Sequence, residues 1–135
     1  MKNRLAVIVL VAASLTGCAT GAYKVHPGAG GYVSGTPTAA QLFDSQEYDV
    51  LVGANAVIQQ TQADYLAGKF PTSTMPGIRS AANAATTAYN VAQAQWLAFD
   101  GALKVGASPS QSALTSALAA LQSALTQLTT AKGGN

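Results

Sequence analysis

From Ile78 to Leu103 the chain reads IRSAANAATTAYNVAQAQWLAFDGAL. Within it Ile78, Ala82, Ala85, Tyr89, Ala92, Trp96, Phe99 and Leu103 are separated by steps of 4, 3, 4, 3, 4, 3 and 4. A helix turns once in about 3.6 residues, so these side chains form one apolar stripe, spaced as in a heptad repeat. Pro76 sits where a proline loses no hydrogen bond, in the first turn, and Gly106 closes the helix. Small alanines alternate with Tyr89, Trp96 and Phe99, a pattern that lets a facing helix approach closely and interdigitate.

Downstream lies the matching seam. Leu114, Leu118, Leu121, Leu125 and Leu128 step by 4, 3, 4 and 3, with Ala117 and Ala124 beside them. Ser108-Pro109-Ser110-Gln111 predicts the start of this helix, as a capping box with proline at the first helical position. The helix should fray near Lys132, leaving Gly133-Gly134-Asn135 as a disordered tail.

Upstream, Thr38-Ala39-Ala40-Gln41 is another capping box and predicts a helix from Thr38 to about Ala67, stopped by Gly68. Leu51, Ala54, Ile58, Thr61 and Tyr65 share one face, widened by Phe43, Val50 and Val57. Gly53 is a point where this helix could break. The run Gln59 to Gln62 reads as a solvated face, a theme that Gln93 and Gln95 extend. Lys69 to Pro76, punctuated by Pro71 and Pro76, is a loop. No stretch alternates β-branched and polar residues over a useful length, so no strand is expected. The fold class is all-α: an antiparallel, up-down-up three-helix bundle spanning residues 38–132. Truncating a seam leucine or Trp96 to alanine should cost about 2–5 kcal/mol.

Ahead of the bundle the composition changes twice. Residues 18–37 are rich in Gly and Pro without periodicity and read as a flexible tether, of roughly 25 Å r.m.s. span for a Gly-rich coil of this length. His26 lies in it as a solvated residue, with no second ligand that would make a metal site. Gly28-Ala29-Gly30-Gly31 has no Lys-Ser/Thr after it and no strand before it, so it is not a phosphate loop. Residues 1–17 have the form of a signal peptide: Lys2 and Arg4, then an apolar run from Leu5 to Ala13. That run is too short to span a bilayer, which takes roughly 20 residues of helix.

The segment ends Leu15-Thr16-Gly17-Cys18, a branched apolar residue, two small residues and the chain's single cysteine. This resembles the lipobox of bacterial lipoproteins. The resemblance implies cleavage between Gly17 and Cys18, a diacylglyceryl group on the Cys18 thiol and, often, an acyl chain such as palmitate on the new amino group. No other cofactor is implied. It also implies a lipid-anchored protein of the bacterial cell envelope. Ala19, where an aspartate would favour retention at the inner membrane, points to the outer membrane facing the periplasm if the host has one. Two or three chains would anchor stably, whereas one binds only with K on the order of 10⁴ M⁻¹. The remainder of the chain is similar to small helical envelope lipoproteins, a likeness of fold that carries no activity.

Charge excludes one class of partner. The whole chain has 7 Lys and Arg against 5 Asp and Glu, but Lys2 and Arg4 would leave with the signal, and the remaining charges cancel. There is no basic stripe to follow a phosphate backbone, so nucleic acid is not expected.

Catalytic constellations are also missing from the pattern. Asp44, Glu47 and Asp49 form an acidic cluster. Its simplest reading is acids near a positive helix N-terminus, each worth about 0.3–1 kcal/mol; a paired-carboxylate or cation site is the sharper alternative. No Gly-x-Ser-x-Gly elbow exists, and His26 is the sole histidine. Asp100 and Lys104 read as a surface pair worth about 0.3–0.5 kcal/mol.

Two function classes follow. One is a non-enzymatic structural or interaction protein that pairs with itself or with another envelope protein. The other is a binding module that holds an apolar ligand or lipid between its helices against Tyr89, Trp96 and Phe99, in a cavity of roughly several hundred Å³.

Overall fold

The computed structural model describes residues 38–133. The expected signal peptide, Gly17, Cys18, the expected tether with His26, and the last two residues lie outside them. Among the described residues there are three α-helices and no strand, as the seams predict: α1 Ala39–Leu66, α2 Met75–Lys104 and α3 Ser112–Gly133. Two compact units divide between Val50 and Leu51, inside α1. Residues 38–50 are the described part of the first. Residues 51–133 belong to the second and hold the rest of α1 with α2 and α3.

In the first unit the capping box forms completely. Gln41 N–H donates to Thr38 Oγ1 at 3.2 Å, and Thr38 N–H donates to Gln41 Oε1 at 2.8 Å. Two amides that a helix start would leave unbonded are thereby satisfied. The first turn of α1 contains no acidic residue. Asp44 lies beyond it and is buried, while Glu47 is half-buried. The expectation of acids placed to meet the positive helix N-terminus is therefore corrected, because the dipole acts chiefly over the first turn. Burial pushes the Glu47 carboxyl above its ordinary value.

In the second unit the close helix pairing is between α2 and α3. The antiparallel direction shows in what meets: Ile78, Ala82 and Ala85 of α2 cluster with Ala124 and Leu128 of α3, while Phe99 and Leu114 line one groove at the other end. Ala85, Ala92, Leu121 and Leu128 are essentially inaccessible. Ile58 of α1 closes the same cluster, with Tyr65 packed against it. Threonines sit in the helices by turning their hydroxyls back on the preceding turn: Thr61 to Val57, Thr86 to Ala82, Thr129 to Leu125. Thr61 is thus part of the buried face, while Gln59, Gln60 and Gln62 of the same run are exposed.

Both inter-helix turns end in the same device. Gly68 (φ +66°) and Gly106 (φ +75°) occupy the left-handed region. Lys69 N–H donates to the Asp64 carbonyl and Gly68 N–H to the Tyr65 carbonyl; Ala107 and Gly106 repeat this on Ala102 and Leu103. These are Schellman closures, which satisfy the last carbonyls of α1 and α2. α1 does not break at Gly53.

Three expectations are corrected. α3 begins at Ser112, so the Ser108 capping box does not form. Pro109 is half-buried and lines a groove with Phe99 and Leu114 instead of opening the helix, and Ser110 Oγ accepts the Ser112 N–H. At the other end the helix continues through Gly133. Asp100 is buried, so its ion pair with Lys104 is half-buried and not a surface pair.

Candidate binding groove

Of the aromatic residues singled out by the α2 stripe, Phe99 lines one of two grooves on the second unit. Trp96 and Phe99 are buried in the bundle, and Tyr89 is half-buried against the core. Phe99 lines a groove of about 120 Å³ with Pro109 and Leu114. Tyr89 and Trp96 line neither that groove nor the larger one described next. Among the described residues no three His, Cys, Asp or Glu side chains converge as metal ligands would. No helix there is long and apolar enough to cross a membrane.

The larger groove, about 240 Å³, lies between the end of α1 and the start of α2. Behind it lie Ile78 and Ala82, buried core residues with almost no accessible surface. Its accessible lining is Gln62, Tyr65, Leu66, Arg79 and Asn83, with Thr61 buried behind them. Leu66 stands 86% exposed because the Schellman closure at Gly68 ends α1 there and the chain turns away.

Arg79 is held in one orientation. Its Nε–H donates to Tyr65 Oη at 3.1 Å, and its guanidinium carbon lies 5.5 Å from the centre of the Tyr65 ring. A cation over an aromatic face is attracted by the ring quadrupole, by about 0.5–1 kcal/mol at exposed sites. The terminal Nη groups remain, and Arg79 has no carboxylate partner among the described residues. On the inner side, Lys132 Nζ donates to Thr61 Oγ1.

Asp64, at the same end of α1 as Tyr65, is already engaged. Asp64 accepts from Lys69 Nζ at 2.8 Å and from Gln60 Nε2 at 2.9 Å. The Lys69 hydrogen bond holds its carboxyl below the ordinary aspartate value, helped by Gln60 and by the charges of Lys69 and Lys132. Among the described residues, Lys69, Arg79 and Lys132 therefore gather here around one carboxylate, Asp64. The stripe on α1 pointed to Tyr65 as a core residue. The groove was not visible because it depends on which turn of α2 faces Tyr65. The available signal was that Arg79 is the only arginine after Arg4, set beside Ile78 of the apolar stripe.

A second feature lies on the opposite side of α2 from its buried stripe. Val91, Ala94, Ala98, Gly101 and Val105 step by 3, 4, 3 and 4, and Leu97 flanks them; all six are exposed. Lys104 borders this face at its C-terminal end.

Comparison with protein-family models, with curated proteins and with solved structures finds no match to this chain.

Proposed function

We propose that this chain is a lipid-anchored protein of the bacterial envelope whose role is structural or protein-interacting and not enzymatic. The anchoring half of the proposal stands on Leu15-Thr16-Gly17-Cys18. The interaction half is supported by the outer face of α2. Contiguous exposed apolar side chains commonly mark a protein or membrane contact. The 4-3 spacing here is the one that packs a helix against another helix, and the small residues at its middle permit close approach. The partner is a helix of a second copy or of another envelope protein.

Two measurements test the two halves. Acyl labelling should appear on the mature product and vanish in Cys18→Ser; a mature product with an unmodified cysteine overturns the anchor. A photo-crosslinking side chain at position 98, activated in native membranes, should yield a covalent dimer or one discrete heterologous adduct. The absence of any discrete adduct, with the chain folded and present, overturns the interaction role.

A further inference from the structure

We infer that the groove between α1 and α2 is a recognition site for the C-terminal residue of a polypeptide, one with an apolar side chain and a free α-carboxylate. This goes beyond the pairing role and uses none of the residues of the outer α2 seam.

Size is the first argument. About 240 Å³ falls below the roughly 300–1,000 Å³ of pockets that enclose drug-sized ligands. One side chain with the backbone group attached to it is the scale that fits. The exposed Leu66 and the Tyr65 ring offer that side chain an apolar wall, backed by the buried Ile78 and Ala82.

Charge is the second. Tyr65 occupies the Nε edge of Arg79 and so leaves the two terminal nitrogens, the pair that grips a carboxylate with two parallel hydrogen bonds. No acid among the described residues takes that position. Asp64 is engaged by Lys69 and Gln60. Lys132, on Thr61, adds positive potential from the other side. An unmatched guanidinium, oriented by Tyr65 beside the exposed Leu66, is complementary to an anion carried on an apolar body.

Compactness selects the chain terminus. In a C-terminal residue the carboxylate and the side chain leave the same carbon, so both fit one short groove. An internal Glu or Asp carries its carboxylate on the side chain itself, so a neighbouring residue would have to supply the apolar part. The groove is open to solvent, so the rest of the peptide can run outward from it.

The test uses the full chain in a neutral detergent, followed by NMR amide shifts. The probe is a tetrapeptide ending in leucine, as the free acid and as the C-terminal amide, with N-acetyl-leucine as a third ligand. The free-acid peptide should shift Tyr65, Arg79 and Ala82 and bind at least ~10-fold more tightly than the amide. Arg79→Gln should remove that preference, while Arg79→Lys, which keeps the charge but not the fork, should retain part of it; circular dichroism checks that both fold. Equal binding of acid and amide, shifts centred elsewhere, or no shift at millimolar peptide would overturn the inference. N-acetyl-leucine binding as tightly as the peptide would overturn the polypeptide as occupant.

Discussion

Lys132 Nζ lies 3.3 Å from Thr61 Oγ1 and ties the last turn of α3 to a wholly buried side chain of α1. The same hydroxyl donates its proton to the Val57 carbonyl at 2.8 Å, so a polar atom in an apolar seam is fully used. Thr61→Val keeps the shape and removes both bonds. Val57 stays in the helix ladder and Lys132 returns to water, so neither partner is left buried and unbonded. The expected loss is about 0.5–1.5 kcal/mol. Thr61→Ala should cost more, because it also opens a void. Urea midpoints order the two variants, and a cost for Thr61→Val above that of Thr61→Ala would contradict the assignment.

The α2–α3 interface makes a sharper demand on size. Ala85 has no accessible surface and clusters with Ala124 and Leu128. Ala85→Leu forces extra methyl groups into a filled seam and should cost about 1–3 kcal/mol. Leu128→Ala should cost about 2–5 kcal/mol. Leu97→Ala, on the outer face of the same helix, should stay within about 0.5 kcal/mol. Thermal unfolding of the three separates a core position from a surface one.

The contrast between the two capping boxes shows what the sequence could and could not tell. Thr38/Gln41 and Ser108/Gln111 have the same spacing, yet only the first closes. Local chemistry decided the first start. The second is decided by tertiary placement: the chain leaves a Schellman closure at Gly106 and must deliver Leu114 to the seam, and Pro109 covers apolar surface on the way. A related shift affects the seam itself, where Ala124 is buried and Leu125 only half-buried. A strict 4-3 count drifts against a helix of 3.6 residues per turn, and the smaller residue takes the line of closest approach. The stripes were legible because each is a property of one helix. The groove at Arg79 was not, because Tyr65 and Arg79 are brought together by the register between two helices.

Three glycines give predictions of opposite sign. Gly53 is exposed in the interior of α1 with open space where a Cβ would stand, so Gly53→Ala should stabilise by about 0.5–1 kcal/mol. Gly68 and Gly106 also have open space, but their φ values of +66° and +75° put an alanine Cβ against its own backbone. Gly68→Ala or Gly106→Ala should destabilise by about 1–2 kcal/mol. Denaturant unfolding of the three single variants decides it, and a stabilising Gly68→Ala would rule out the Schellman closure at that turn.

Glu47 makes the fold sensitive to pH in the direction opposite to that of a salt-bridged acid. Burial raises its carboxyl above the ordinary value of 4.5, so the folded chain holds this proton more tightly than the unfolded chain does. Stability rises with pH only where the unfolded state binds more protons. Here the folded state binds more, so the Glu47 contribution is greatest at low pH and is lost as pH rises from about 4.5 through the raised value. Asp64 works the other way: its lowered value gives stability above the ordinary aspartate range that is lost as pH falls. The two effects separate in Glu47→Gln, which removes the first and leaves the second. Near neutral pH this variant should be more stable than the parent, and the difference should shrink as pH falls below the raised value. Urea midpoints measured from about pH 4 to about pH 7, a range that brackets ordinary carboxylate titration, test this. A difference that stays flat, or one that grows as pH falls, would show that Glu47 is not desolvated in the fold.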